Sequence, residues 1–151
     1  MLYISPETID AIIAHAHSEA PLEACGYLAE KEGIVVRHYP LTNVDASPEH
    51  FSLAPKEQFA AVRKMRSQGL RLRAIYHSHP ASEARPSEED IRLAYDPDIS
   101  YVIVSLKEGN DVVRSFRIRA AQVEQEDMEI VAQFPVGRTP QENKQQRSNR
   151  T

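Results

Sequence analysis

Ile75-Tyr-His-Ser-His-Pro80, a short polar loop, and then Pro86-Ser-Glu-Glu-Asp90 is the stretch around which the whole chain is organised. If Ile75 to His79 continues an extended segment beginning at Leu70, the two-residue period puts His77 and His79 on one face and Tyr76 and Ser78 on the other. Pro80 ends that strand, and Ser87 opens a helix whose first turn carries Asp90, a carboxylate able to turn back toward the two imidazoles. Two histidines and one carboxylate are the usual complement of a catalytic zinc, which keeps its fourth position for water. The stretch therefore reads as a metal site.

Each half of it also has a plainer reading. Ser87-Glu-Glu-Asp90 suits a helix start, with Ser87 as N-cap and acidic residues in the first turn favoured by the helix dipole. A single His-x-His pair is common by accident. The metal reading rests on the combination: His-x-His at the end of an apolar strand, with a carboxylate one loop later.

At 151 residues, 41% of them hydrophobic, the chain is expected to form one domain that buries about two thirds of its unfolded surface. No apolar run approaches the ~20 residues that span a bilayer, and the N-terminus lacks the basic and apolar regions of a signal peptide. A cytoplasmic location is expected. The single cysteine, Cys25, excludes an internal disulfide, and a thiolate zinc knuckle would need Cys-x-x-Cys pairs. A formal net charge of −4, with the signs mixed along the chain, indicates neither a nucleic-acid footprint nor a membrane-binding patch.

Leu2 to Ile4 reads as a short extended piece. Ser5-Pro6-Glu7 then gives N-cap, N1 proline and acidic first turn, and Ile9, Ile12, Ile13 and Ala16 form a helical apolar stripe that runs until Pro21. His15 and His17 lie on this helix, where residues two apart point about 200° from each other, so they cannot share a metal. Leu22 to Leu28 and the β-branched run Ile34 to Tyr39 predict a hairpin about a turn at Glu30 to Gly33. Glu23 stands at its entrance; a solvated charge is the plainer reading, but its neighbours are the small, apolar Ala24-Cys25-Gly26. Cys25 reads as a small buried hydrophobe, since no partner in the sequence would lower its pKa.

Thr42 to Ser52 reads as a polar connection. Pro55 to Gln68 is a second helix closed by Gly69, with Phe59, Val62 and Met65 expected inside and a solvated basic face of Lys56, Arg63, Lys64 and Arg66. Leu70 to His77 feeds the motif, Ser87 to Tyr95 is a third helix, and Ile99 to Leu106 suits the centre of a sheet. Lys107 to Asp111 turns into Val112 to Ile118, and Val123 to Val131 adds another strand or a last helix. Residues 137–151 contain nothing apolar to bury and are expected to be a disordered tail after a domain of residues 1–136. Strands alternating with helices, together with a hairpin, point to an α/β fold with a mixed sheet flanked by helices.

His77-Ser78-His79-Pro80, Ser87 eight positions after His79, Asp90 three further on and Glu23 upstream resemble the signature of the JAMM (MPN-plus) metalloproteases: Glu, then His-Ser/Thr-His, seven residues, Ser, two residues, Asp. Every position is filled. Pro21-Leu-Glu23-Ala-Cys25-Gly26 and the order of elements from Leu2 to about Phe134 resemble the small prokaryotic members.

The resemblance implies a cytidine-deaminase-like α/β fold and one zinc ion held by His77, His79 and Asp90. It implies Glu23 as the general base that takes a water proton and passes it to the leaving amine, and Ser87 as a donor to the tetrahedral oxyanion. It implies cleavage after the C-terminal Gly-Gly of a ubiquitin-like or sulfur-carrier protein, releasing a cysteine or other extension. Two other classes use related parts. One is a catalytically silent MPN-type binding module; the other is a non-haem iron oxygenase with the same two-histidine, one-carboxylate ligands, although its usual His-x-Asp order and all-β scaffold differ from this chain.

Overall fold

The computed structural model of the protein describes residues 1–132. Among these, the strands are β1 (Leu2–Ile4), β2 (Cys25–Lys31), β3 (Ile34–Leu41), β4 (Arg71–His79), β5 (Ser100–Ser105), β6 (Val112–Arg119), β7 (Gln122–Glu126) and β8 (Met128–Ile130). The helices are α1 (Pro6–Glu19), α2 (Pro55–Ser67) and α3 (Glu88–Arg92). The strands form one mixed sheet in the order β7-β6-β5-β4-β2-β3-β1-β8. Only Asp127 separates β7 from β8, so the two edges of the sheet meet at that residue. The expected residues 137–151 tail lies outside the described residues.

Local chemistry explains most of these elements. Ser5 caps α1 by accepting the Thr8 amide, and Pro6 follows at the first helical position. The β2–β3 hairpin turns at Glu32 and Gly33, both with positive φ (53° and 85°), the backbone of the tight turn that matches strand twist. All six residues of β5 are buried, as expected for a strand covered on both faces.

The core lies in two layers. On one face α1 packs Ile12 and Ala16 against Leu28, Val35, Ala74, Tyr76, Val102 and Val104. On the other, α2 lays Ala61 and Met65 on Tyr27, Ala29 and Tyr39, and the segment around α3 covers Tyr101, Ile103 and Phe116. No helix among the described residues is long and apolar enough to cross a membrane.

Three expectations need correction. Phe59 does not face the core: it is 67% exposed, with the Arg63 guanidinium 5.9 Å from its ring centre. The inner stripe of α2 runs instead through Ala61, Val62 and Met65. The third helix stops at Arg92 rather than Tyr95, because Asp96 is drawn into a turn: its amide donates to the Tyr101 hydroxyl (3.1 Å), which donates back to the Asp96 carbonyl (2.9 Å). The segment after Val123 holds two short strands, and the β6–β7 turn is made by Ala120 and Ala121 at φ 47° and 63°.

Candidate metal centre

Strand β4 runs through His79 and stops before Pro80, so both histidines belong to its regular alternation. Their rings point to the α2 and α3 side of the sheet, with centroids 4.9 Å apart. Asp90, in the first turn of α3, closes the group. The three ligand atoms form a nearly equilateral triangle: His77 Nε2 to His79 Nε2 is 3.0 Å, and each lies 3.1 Å from Asp90 Oδ2. Among the described residues this is the one group of three or more histidine, cysteine or acidic side chains close enough to hold a metal.

Each ligand is oriented from behind. The Nδ1–H of His79 donates to the Glu83 carbonyl at 2.7 Å, which directs the Nε2 lone pair at the centre of the triangle. Phe51 stacks on His77, with centroids 4.7 Å apart and planes 29° apart. Ser87 and Asp90 form a reciprocal cap: the Asp90 amide donates to Ser87 Oγ (3.0 Å) and the Ser87 amide to Asp90 Oδ2 (2.9 Å). The helix-cap reading of Ser87-Glu-Glu-Asp90 is thus compatible with the metal reading. The helix start is what aims the carboxylate, and the Ser87 hydroxyl, accepting from Asp90, keeps its own proton to donate.

The donor set fits a divalent cation. Three acceptors converge within hydrogen-bond distance, and tetrahedral zinc with bonds of ~2.0–2.1 Å would need ligand edges of about 3.3 Å, close to those present. The surroundings of Asp90 also favour its ionised form. Burial works against the ionised Asp90, yet hydrogen bonds from His77, His79 and the Ser87 amide hold its carboxyl far below the ordinary range. Burial lowers the pKa of His77. It opposes charge on His79 too, but there Asp90 and the Glu83 carbonyl outweigh it and the pKa is raised.

Glu23 lies in the connection between α1 and β2. Cys25 pairs with His77 in the antiparallel β2–β4 register, so continuing that register by two residues sets Glu23 opposite His79, on the same face. Its side chain is 3% exposed and Oε1 has no hydrogen-bond partner. Burial pushes its carboxyl up to about 8, with His79 pulling down and Asp90, Glu89 and Glu49 adding to the rise. All five residues singled out in the sequence therefore belong to one neighbourhood. His15 and His17 do not: His15 bonds the Tyr76 hydroxyl (2.7 Å) and His17 bonds Asp111 (2.9 Å).

A largely apolar groove of about 290 Å³ opens beside His77 and Asp90, its lining including Ile75, Ile103, Phe51, Leu53 and Leu93. The sequence reading assigned Phe51, Ser78 and Asn43 no individual role. The only signal was local: a single aromatic in a polar loop, and the hydroxyl between two histidines.

A sheet and centre of this kind define a JAMM-type hydrolase. The chain belongs to the family described as prokaryotic homologs of the JAB domain, whose pattern matches residues 5–119. It is 39% identical over 137 residues to a CysO-cysteine peptidase of Mycobacterium tuberculosis, covering 89% of this chain and 94% of the relative. It is 38% identical to a probable TtuB-protein conjugate cleaving protease of Thermus thermophilus, over 81% of this chain and 79% of that one. A solution structure of a Desulfitobacterium hafniense protein superimposes with a TM-score of 0.81 at 42% identity, over 89% of this chain and 95% of the other.

Proposed function

We propose that the protein is a zinc-dependent peptidase or isopeptidase that cuts after the C-terminal Gly-Gly of a ubiquitin-like or sulfur-carrier protein, releasing a cysteine or another extension. In this reading His77, His79 and Asp90 hold the zinc, Glu23 is the general base and Ser87 the oxyanion donor. The observation that carries it is the convergence of three oriented ligand atoms beside a buried carboxylate whose Oε1 has no partner. Zinc bound there supplies Lewis acidity, polarising a water and the scissile carbonyl.

The chain's own residues do the rest. Glu23 takes a proton from the attacking water and returns it to the departing amine; burial suits it to both tasks by strengthening its hold on a proton. Ser87, exposed at the mouth of α3, donates its hydroxyl to the developing oxyanion. The groove floored by Ile75 and Ile103 accepts an extended chain, and glycine at the cut lets that chain approach the catalytic wall without a Cβ. The likeness to the mycobacterial and Thermus proteins supports a carrier-protein adduct as substrate.

The assignment includes a catalytic domain of residues 1–136, a polar residues 137–151 tail outside it, and a cytoplasmic setting. Metal analysis of the purified protein tests the centre. One zinc per chain is expected, lost in a His77→Ala/His79→Ala double variant. Zinc that persists in that variant would place the site elsewhere, and iron in its place would favour oxygenase chemistry.

A further inference from the structure

Residues 42–52 read in the sequence as a polar connection, yet they are built around one side chain. Asn43 Nδ2 donates to the carbonyls of Glu23 (3.1 Å) and His50 (3.0 Å), with Ser47 O more distant at 3.4 Å. Its Oδ1 accepts the amides of Asp45 (3.1 Å) and Ser52 (3.3 Å). The Glu23 amide in turn donates to the Ser47 carbonyl at 2.9 Å. Both peptide groups that flank the Glu23 side chain are therefore held by this loop.

That matters because Oε1 at the far end of Glu23 has nothing to hold it. The place of the carboxylate follows from the backbone that carries it. The same loop reaches the metal centre directly, since Phe51 stacks on His77. Carboxylate and ligand are thus set relative to each other by one segment, and Asn43 joins the two ends of that segment to residue 23.

We infer that Asn43 is a positioning residue: by fixing the Glu23 peptide to the 42–52 loop it sets the Glu23 carboxylate against the His77–His79–Asp90 centre. The inference rests on Glu23 being the base, as proposed above. It assigns Asn43 no contact with substrate or metal.

The test is a double-substitution cycle on the zinc-loaded full chain, using a ubiquitin-fold carrier with a short peptide extension after its Gly-Gly. Asn43→Asp keeps the size and the accepting oxygen but sets a second oxygen against the Glu23 and His50 carbonyls. Alone, it should lower kcat by about tenfold or more, as expected for a slightly misplaced catalytic group, with KM and zinc content unchanged. In a Glu23→Gln background the same substitution should change kcat by less than about twofold, because there is no longer a base to misplace. Amide exchange at Glu23 should quicken in Asn43→Asp, a readout independent of turnover.

Equal losses in both backgrounds, a loss that follows zinc content, or an unchanged kcat would overturn the inference. A Glu23→Gln enzyme as fast as the parent would instead overturn the assignment of the base. Asn43→Ser enters the same cycle if the Asp variant does not fold. Failure of both variants to fold would contradict a role exerted through Glu23 alone.

Discussion

Ala24 and Ser78 close the β2–β4 ladder with a reciprocal pair of hydrogen bonds: the Ser78 amide donates to the Ala24 carbonyl at 2.9 Å, and the Ala24 amide to Ser78 Oγ at 2.7 Å. The residue between the two histidines is thereby bonded to the residue after Glu23. An alternating strand sends Ser78 to the opposite face from His77 and His79, so the two imidazoles are left free while their neighbour fastens the segment that carries Glu23.

Glu23→Gln should keep zinc and lose activity by about 10² to 10⁴, the span of general acid/base catalysis. Asp90→Ala should lose both zinc and activity. Ser87→Ala should retain metal, slow the reaction by on the order of 10², and cost about 1 kcal/mol of stability through the lost cap. Steady-state kinetics beside metal content and thermal melts separates the three. A Glu23→Gln variant at parental rate would remove this residue from the mechanism.

Gly26 sits opposite Tyr76 in the β2–β4 register. A Cβ added there would press on the Tyr39 carbonyl oxygen and lie 2.6 Å from Tyr76 Cε1. The Tyr76 ring is 1% exposed and cannot retreat. Gly26→Ala should therefore destabilise the protein by ~1–3 kcal/mol, as overpacking of a tight core does. A chemical denaturation curve matching the parent's would show that the strands have more room.

The Cys25 thiol is fully buried; burial, with the nearby charges of Glu57 and Glu23, pushes its pKa up to about 12. It should resist alkylation by iodoacetamide at pH 8 while the protein is folded, and Cys25→Ala should stay active. Rapid labelling of the native protein, followed by mass spectrometry, would contradict this environment.

Glu126 ties four strands together. Its carboxylate accepts the hydroxyls of Ser100 and Ser115 and pairs with Arg73 at 3.4 Å. Burial opposes its ionisation, but the two hydroxyls and Arg73 outweigh it and hold the pKa below the ordinary value. A depressed folded-state pKa contributes stability that is present above the unfolded carboxylate pKa and is lost as pH falls through the folded one. Glu126→Gln should thus be about 1–3 kcal/mol less stable at neutral pH, as for a hydrogen-bonded charge. The gap should narrow as the solution is acidified below ~4, the ordinary carboxylate range. A gap that widens on acidification would reverse the assignment.

The centre was legible in the sequence because its parts are local. His77 and His79 share a strand, Asp90 lies one loop away, and a capping box aims it. Glu23 is distant in sequence, and only the family resemblance brought it in; the β2–β4 register sets it opposite His79. What escaped notice depends on tertiary packing. The β6–β7 turn is built by Ala120 and Ala121 in the left-handed region, where alanine carries no turn signal, so the final strands merged into one uncertain segment. Phe59 lies outward, although its apolar character assigned it to the core. Asn43 looked like any polar loop residue, because its value lies in five backbone groups that meet around it only after folding.

Intact-mass spectrometry of a ubiquitin-like sulfur carrier bearing a cysteine after its C-terminal Gly-Gly tests the central claim most directly. Incubated with the zinc-loaded protein, the carrier should lose the mass of the added residue and end in Gly-Gly. The product should be absent with Glu23→Gln and after chelation by o-phenanthroline, and should return when zinc is restored. Replacing the glycine nearest the cut by a bulkier residue should block the reaction. An adduct left intact by the zinc-loaded protein, or one removed equally well by the Glu23→Gln variant, would contradict the account.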